Sequence, residues 1–297
     1  MNRVRGCLKG IQKREKWILL RQPLLDFTYK RYIIADVRSD FLKKYNAYLI
    51  DLDGTMYRGT ERIEEAVHFV KAIQKKNIPY LFVTNNSSRR PDQIAEKLQS
   101  FDIPASPELV FTSSMAAANY IADQKKEAAI YMIGEEGLQH ALQEKQFTFV
   151  EENPDYVVVG IDRDITYEKL AKGCLGIRNG AAFLSTNADI AIPTERGLLP
   201  GNGALTSVFS VSTGVNPIFI GKPESIIMEQ ALRVLGSNKE ETLMVGDNYD
   251  TDIAAGMSAG LDTLLVHTGV TSKEKLTQYE IRPTYVVDTL SEWMDKI

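Results

Sequence analysis

The sequence has little cysteine, with only Cys7 and Cys174 among its 297 residues. They are far apart and neither has a second cysteine or a histidine at metal-ligand spacing, which excludes a disulfide framework and a zinc site. Unpaired thiols of this kind are typical of a reducing cytoplasm, which is the location we predict. Histidine is equally scarce, and His68, His140 and His267 share no spacing that would join them in one site.

Long hydrophobic runs are also lacking. A membrane-spanning helix needs roughly 18 apolar residues, and the N-terminal apolar stretches are interrupted by Arg21, Gln22 and Asp26. We therefore predict no membrane anchor and no signal peptide. The formal net charge of -4 and the apolar fraction of 44% are typical of a globular protein, and they do not indicate a nucleic-acid partner.

Residues 1–44 differ in composition from the rest of the chain, because basic side chains far outnumber acidic ones there. A membrane-surface or nucleic-acid-binding arm is the less favoured interpretation, since the helical pattern is poor and aromatic residues are few. We predict instead a loosely attached extension, or sequence upstream of the true translation start.

From Tyr45 onward, short apolar runs that end in polar loops alternate with helical patterns. Residues 47–50 form the first run, residues 63–73 carry apolar side chains at helical spacing, and residues 79–83 form the second run. Strand, helix and strand in this order predict a right-handed parallel unit. The alternation continues to the C-terminus, which predicts an α/β fold with a doubly wound, Rossmann-like parallel sheet.

Four polar clusters each follow a predicted strand. In a parallel sheet the carboxyl ends of the strands share one edge, where ligands bind. Crowded carboxylates repel one another unless a cation neutralises them, and oxygen ligands without Cys or His favour Mg²⁺ over zinc. A bound phosphate group would need that metal and a basic side chain. The clusters are Asp51-Leu52-Asp53-Gly54-Thr55, Thr84-Asn85-Asn86, Lys222-Pro223 and residues 246–252.

Asp51 and Asp53 have the spacing that covalent phosphoryl transfer requires. One carboxylate attacks the phosphorus and a second carboxyl group protonates the leaving oxygen. Alternate residues that leave a strand can face the same ligand once the chain bends, as it can at Gly54. Asp-rich loops also form turns and caps, so Asp51 alone does not identify a site. The evidence for a catalytic site comes from the order of all four clusters along the sequence.

In that order the clusters resemble the four signatures of haloacid dehalogenase-type phosphatases, over about Tyr45 to the C-terminus. The resemblance implies a Mg²⁺-dependent phosphatase that hydrolyses small phosphorylated metabolites through an aspartyl-phosphate intermediate. Asp51 would be the nucleophile and a metal ligand. Asp53 would be the general acid and then the general base, with its backbone carbonyl on the metal.

The resemblance also implies the remaining roles in the site. Asp247 would bind the metal, and Lys222 would offset the charge of the phosphoryl group. Asp252 would support the metal site from behind its ligands, with Asp250 as a nearby rival. The phosphate contacts would come from Gly54, Thr55, Thr84, Asn85 and Asn86.

Well over a hundred residues separate Asn85 from Lys222, too many for one crossover. An insert at this place resembles the large α/β cap of the NagD-like, or 4-nitrophenylphosphatase, branch. We predict a core of residues 45–126 and 214–297 and a substrate-selecting cap of residues 127–213. Asn187 and Asp189, in a turn-rich segment of this cap, are candidate substrate contacts, with a purely structural turn role as the alternative. A homo-oligomer formed through the cap is left open.

Two rival functions remain at the level of sequence. A phosphotransferase or phosphomutase would use the same aspartyl-phosphate and pass the group to an alcohol instead of water. A non-catalytic binding or regulatory protein could also use this fold, although the complete set of acidic residues argues against it. The expected substrates are sugar phosphates, nucleoside monophosphates and 4-nitrophenyl phosphate.

Overall fold

The computed structural model of the protein describes residues 43–194 and 196–297. Nearly all of the basic extension predicted for residues 1–44 therefore lies outside the described residues, and its loose attachment stays a prediction. The remaining chain forms a separate unit, Lys44–Ile297. Within the described ranges, no helix combines the length and the apolar character that crossing a membrane requires.

The larger sheet has six strands, and each neighbouring pair is parallel. The first strand lies inside the sheet, with its Ile50 opposite Val245 on one side and Phe82 on the other. The next strands of this sheet along the chain, Tyr80–Thr84 and Val110–Thr112, lie on one side of it, and the later strands lie on the other. A topological switch point therefore lies beside the first strand. In spatial order the strands are Tyr285–Val287, Asp262–Val266, Thr242–Gly246, Ala47–Ile50, Tyr80–Thr84 and Val110–Thr112.

Helices cover both faces of this sheet because successive strand residues point to opposite sides. Tyr48 and Ile50 pack into one apolar cluster, whereas Leu49 packs into the other. The first cluster includes side chains of the helices Glu64–Lys75 and Pro91–Ser100 and of the 3₁₀ helix Leu290–Lys296. The second includes those of the helices Ser113–Gln124, Ser225–Leu235 and Ala254–Ser258.

A second, parallel sheet of five strands is inserted between two strands of the first. Its strands, in spatial order, are Ile218–Phe219, Ala182–Ser185, Tyr156–Val159, Ala129–Ile133 and Thr148–Phe149. The inserted segment also contains the helices Glu136–Glu144, Tyr167–Arg178 and Asn202–Thr213 and the hairpin Ala191–Thr194 with Gly197–Pro200. The predicted α/β fold with a doubly wound core and an inserted α/β cap is confirmed.

Small elements complete the described chain. Tyr57–Arg58 and Glu61–Arg62 form a short hairpin directly after the first strand. The connections of the core contain three further short helices. These are the 3₁₀ helix Pro107–Leu109, the π-helix Tyr249–Ile253 and the α-helix Lys273–Leu276.

The predicted end of the cap at residue 213 is wrong. The strand Ile218–Phe219 pairs with Leu184 and Ser185, so it belongs to the second sheet. A short apolar run shows that a strand is buried, but it does not show which sheet the strand joins.

Candidate active site

Asp51 and Asp247 come together because their strands are neighbours in the sheet. Asp51 follows the first strand, and its N–H donates a hydrogen bond to the Val245 carbonyl at 2.9 Å. The chain then turns at Gly54, where φ is +91°, and a Cβ on this residue would lie 2.4 Å from Asp247 Oδ2. Only glycine therefore allows this turn to approach the carboxylate so closely.

Three buried carboxylates meet at this edge of the sheet. Asp51, Asp247 and Asp252 each offer one oxygen atom, and the three atoms lie within 4.8 Å of one another. The Lys222 ammonium donates to Asp51, to Asp252 at 2.7 Å and to the Val83 carbonyl at 3.1 Å. One ammonium cannot neutralise three carboxylates, and the donors are all hard oxygen atoms. The residues present therefore fit a divalent cation such as Mg²⁺.

The electrostatics of the cluster also favour a bound cation. Burial, reinforced by the charge of Asp252, raises the pKa of Asp51 well above its usual range, although Lys222 opposes the shift. Burial and Asp252 likewise raise the pKa of Asp247 to about 6. Burial acts to lower the pKa of Lys222, but Asp252 and Asp51 outweigh it and raise this pKa overall. Additional positive charge would stabilise the ionised form of both aspartates.

Asp53 has a different environment, because its side chain is exposed to the pocket and is not part of the three-carboxylate cluster. Partial desolvation by the pocket walls raises its pKa, against the lowering effects of Lys97 and of a hydrogen bond from the Gly59 backbone. A raised pKa keeps more of a carboxyl group protonated near neutral pH, which suits a general acid.

The Asn85 side chain joins the loop after the strand Tyr80–Thr84 to the Lys222 loop. Its Oδ1 accepts from the Lys222 N–H at 2.8 Å, and its Nδ2 donates to the Lys222 carbonyl at 2.9 Å and to Asp189 Oδ1 at 3.2 Å. The side chain is thus already committed to protein contacts. The Asn85 N–H has no hydrogen-bond acceptor among the described residues, and its predicted contact to phosphate stays a prediction. Thr84 lies beside it in the pocket.

Asn86 closes a turn in the same loop. Its Oδ1 accepts from the N–H groups of Ser88 at 3.0 Å and Arg89 at 2.9 Å, while its own N–H donates to Thr84 Oγ1 at 3.1 Å. The side chain therefore shapes the loop, and the predicted contact to phosphate stays a prediction.

Asn187 and Asp189 bring the cap to this loop. Asn187 Nδ2 donates to the Asn85 carbonyl at 2.9 Å, and its Oδ1 accepts from the Asp189 N–H at 3.1 Å. Asp189 accepts from the Asn85 amide. Asn187 and Asp189 therefore have the structural role that the sequence left open as the alternative. Their contact to substrate stays a prediction.

The structure distinguishes Asp252 from Asp250 by their contacts. Asp252 is buried against Lys222 and accepts from the Asn248 N–H at 3.0 Å. Asp250 instead accepts from Lys275 at 2.7 Å and from Tyr279 at 2.6 Å, outside the carboxylate cluster. Asp252 also contributes an oxygen to the cluster itself, in addition to the supporting role expected of it.

The loop after the strand Asp262–Val266 belongs to the site, although sequence reasoning missed it. The Val270 N–H donates to Asp247 Oδ2 at 2.6 Å, and Thr268 Oγ1 donates to the Gly54 carbonyl at 2.7 Å. A Cβ on Gly269 would lie 1.9 Å from Asp247 Oδ2. The available signal was the apolar run of residues 263–266, which predicts one more strand of the alternating pattern. Its carboxyl end lies beside that of Thr242–Gly246.

Asp51, Asp53 and Lys222 line a pocket of about 900 Å³ that the core and the cap form together. This volume lies within the usual range for sites that enclose small metabolites. Sequence reasoning also missed several of the lining residues, for which no local pattern gave a signal. The lining includes Tyr57, Arg89 and Lys97 from the core and Ile161, Arg163 and Ile192 from the cap.

Comparisons with known proteins agree with this geometry. A family model described as haloacid dehalogenase-like hydrolase matches residues 48–148, and a second, HAD-hydrolase-like model matches residues 219–293. The chain is 67% identical to the 5'-nucleotidase YutF of Bacillus subtilis, over 86% of this chain and 100% of that protein. It is 54% identical to the acid sugar phosphatase of Staphylococcus aureus, over 84% of this chain and 97% of that protein.

A solved structure shows the same fold. The p-nitrophenyl phosphatase from Archaeoglobus fulgidus superimposes with a TM-score of 0.81 and 33% identity. The match covers 86% of this chain and 100% of that one.

Proposed function

This chain belongs to the haloacid dehalogenase-like hydrolases, in their NagD-like, 4-nitrophenylphosphatase branch, and from that premise we propose that it is a Mg²⁺-dependent phosphatase with Asp51 as its nucleophile. One observation carries the proposal. Buried Asp51 touches Lys222 beside Asp247 and Asp252, while Asp53 is exposed to the same pocket.

The residues suit a two-step displacement. Asp51 attacks the phosphorus of a phosphate monoester, and the bond to the leaving oxygen breaks while Asp53 gives that oxygen its proton. The Asp51 phosphate is then hydrolysed by water, whose proton returns to Asp53, and inorganic phosphate leaves. Lys222 offsets the negative charge of the group in transit, and the Asn85 N–H donates to it.

Asp51, Asp247 and Asp252, with the backbone carbonyl of Asp53, would hold the magnesium ion. When bound, the ion lowers the pKa of the buried aspartates and offsets charge on the phosphoryl oxygens. The protein's part is to hold the carboxylates together, which Thr55 and Val270 do for Asp247 through hydrogen bonds of 3.0 and 2.6 Å.

Sugar phosphates, nucleoside monophosphates and 4-nitrophenyl phosphate are the substrates we propose, since relatives are named 5'-nucleotidase, acid sugar phosphatase and p-nitrophenyl phosphatase. The cap would select among them, because it supplies Ile161, Arg163 and Ile192 to the pocket. A cytoplasmic location stays a prediction, as does an oligomer through the cap. Analysis of the phosphorylated products in the presence of alcohols distinguishes hydrolysis from phosphotransfer.

Replacement of the nucleophile tests the proposal. We expect Asp51→Asn to abolish Mg²⁺-dependent phosphate release from 4-nitrophenyl phosphate, because an amide cannot form the phosphoenzyme. Circular dichroism would check that the fold is intact. Asp250→Asn is the matched control, since Asp250 lies in the same sequence cluster but faces Lys275. Near-normal turnover by Asp51→Asn would refute the mechanism.

A further inference from the structure

Two of the basic side chains that line the pocket lack the ion pairs that the others form. Lys222 and Arg163 both contact carboxylates. Neither Lys97 nor Arg89 forms an ion pair with any carboxylate in the part of the chain that the structure describes. Among the described residues, the pocket therefore contains two cations without an ion pair, Lys97 and Arg89, in addition to Lys222 at Asp51.

Lys97 is held near the catalytic carboxylates by an aromatic ring. It lies in the last turns of the helix Pro91–Ser100, and its Nζ is 3.8 Å from the centre of the buried Tyr57 ring. The backbone of Tyr57 forms a bridge with that of Asp53, and Tyr57 lines the same pocket as Asp51 and Asp53. The cation–π contact thus keeps the ammonium on the side of the pocket where Asp53 would meet a leaving group.

Arg89 adds a second positive charge to the same pocket. It follows the turn that Asn86 closes, and its side chain is exposed. Arg89 and Lys97 both line the pocket. Burial lowers the pKa of Lys97, Asp53 opposes this shift, and Arg89 adds to it. Like charges in one pocket repel one another, and an anion bound between them would remove that repulsion.

We infer that the pocket accepts phosphate monoesters whose leaving group carries a second anionic group, a carboxylate or a second phosphate, bound by Lys97 and Arg89. This inference rests on the proposed phosphatase function and deepens it by naming a substrate class. Arg89 offers a planar set of donors that matches either anion, and Lys97 provides a point charge beside it.

Paired substrates that differ in one anionic group test the inference. Glycerol 3-phosphate with 3-phosphoglycerate tests the carboxylate, and fructose 6-phosphate with fructose 1,6-bisphosphate tests the second phosphate. We expect kcat/KM to be at least about tenfold higher for the more anionic member of one pair or both. Equal values within both pairs would overturn the inference, and the pair that shows the preference identifies the anion.

The variants Lys97→Gln and Arg89→Gln should each reduce that preference by about tenfold. If Lys97 acts only through Asp53, Lys97→Gln lowers kcat/KM equally for both members of a pair. The ratio of the two kcat/KM values is then unchanged, which overturns the assignment of Lys97 to the anion site. The matched control is Lys296→Gln. Lys296 Nζ lies 5.2 Å from the Trp293 ring, another cation–π contact, but neither residue lines the pocket, so the ratio should stay at its original value.

Binding measurements separate this inference from the proposed function. Calorimetry with Asp51→Asn compares the affinities for 3-phosphoglycerate and glycerol 3-phosphate, and for fructose 1,6-bisphosphate and fructose 6-phosphate, without turnover. Preferred binding of the more anionic ester, together with no hydrolysis by the parent protein, would refute the phosphatase proposal and leave the anion site standing. Equal affinity within both pairs would refute the anion site even if hydrolysis is fast.

Discussion

Asn85→Ala should destabilise the protein as well as slow it, because the Asn85 side chain holds Lys222 in place. The variant removes the hydrogen bonds at 2.8 and 2.9 Å to the Lys222 backbone and the bond at 3.2 Å to Asp189. Each buried hydrogen bond contributes about 1 kcal/mol, and a buried group left without a partner costs about 1–3 kcal/mol. Because Lys222 is only 3% exposed, water would not replace the lost partners easily.

The expected loss is therefore about 3 kcal/mol in the free energy of unfolding. For a chain of this size, such a loss lowers the melting temperature by roughly 6–12 °C, which scanning calorimetry in EDTA would detect. We also expect a lower kcat, since the Lys222 ammonium would lose its fixed position against Asp51. An unchanged melting temperature in the folded variant would refute the role given to this side chain.

A double-mutant cycle tests the link between loop and cap. Asn85→Ala and Asp189→Ala should be non-additive, with a coupling of at least about 0.5 kcal/mol, because the two side chains contact each other. Asn86→Ala is the matched control in the same loop. Within residues 43–194 and 196–297, its side chain bonds only to Ser88 and Arg89, so its effect should add to that of Asp189→Ala. Additivity in the Asn85 cycle would contradict a direct link.

Two further predictions concern Asp247. Its pKa is raised from an ordinary 3.8 to about 6. Between these pH values the folded state holds a proton that the unfolded state has released. The free energy of unfolding of the metal-free protein should therefore fall by about 3 kcal/mol as pH rises through this window. Urea unfolding in EDTA from pH 4 to 7 should show this fall in the parent and a smaller one in Asp247→Asn; equal slopes would contradict it. Gly269→Ala should weaken Mg²⁺ binding by displacing Asp247, since its Cβ would lie 1.9 Å from Oδ2. Isothermal calorimetry would measure the affinity, and parent-like binding by a folded variant would show that the loop moves aside.

The meeting of Asp51, Thr84 and Asp247 could be predicted because parallel strands fix where their carboxyl ends lie. Each residue follows a buried apolar run, and the register places Ile50 opposite both Val245 and Phe82. Local sequence thus determines which loops share an edge before any side-chain contact is known.

The contacts within that edge could not be predicted in the same way. The Asn85 amide could reach a phosphate or the Lys222 backbone, and the choice depends on how closely two loops approach that are 137 residues apart. Lys97 lies on a helix whose rotation is set by packing of Ile94 and Leu98 into the core. Its place over Tyr57 follows from that tertiary packing and has no periodic signature in the sequence.

The loop at residues 268–271 lies between these two cases. Its strand was predicted, and a parallel neighbour of Thr242–Gly246 must end near Asp247. The pattern did not show the role of this loop in the site, because the loop provides no acid or base there. It provides backbone N–H groups, and the absence of a side chain at Gly269 allows it to approach Asp247 closely. At a switch point, a loop without charged residues can therefore belong to the site, since its backbone N–H groups and its close approach fix the position of a buried carboxylate.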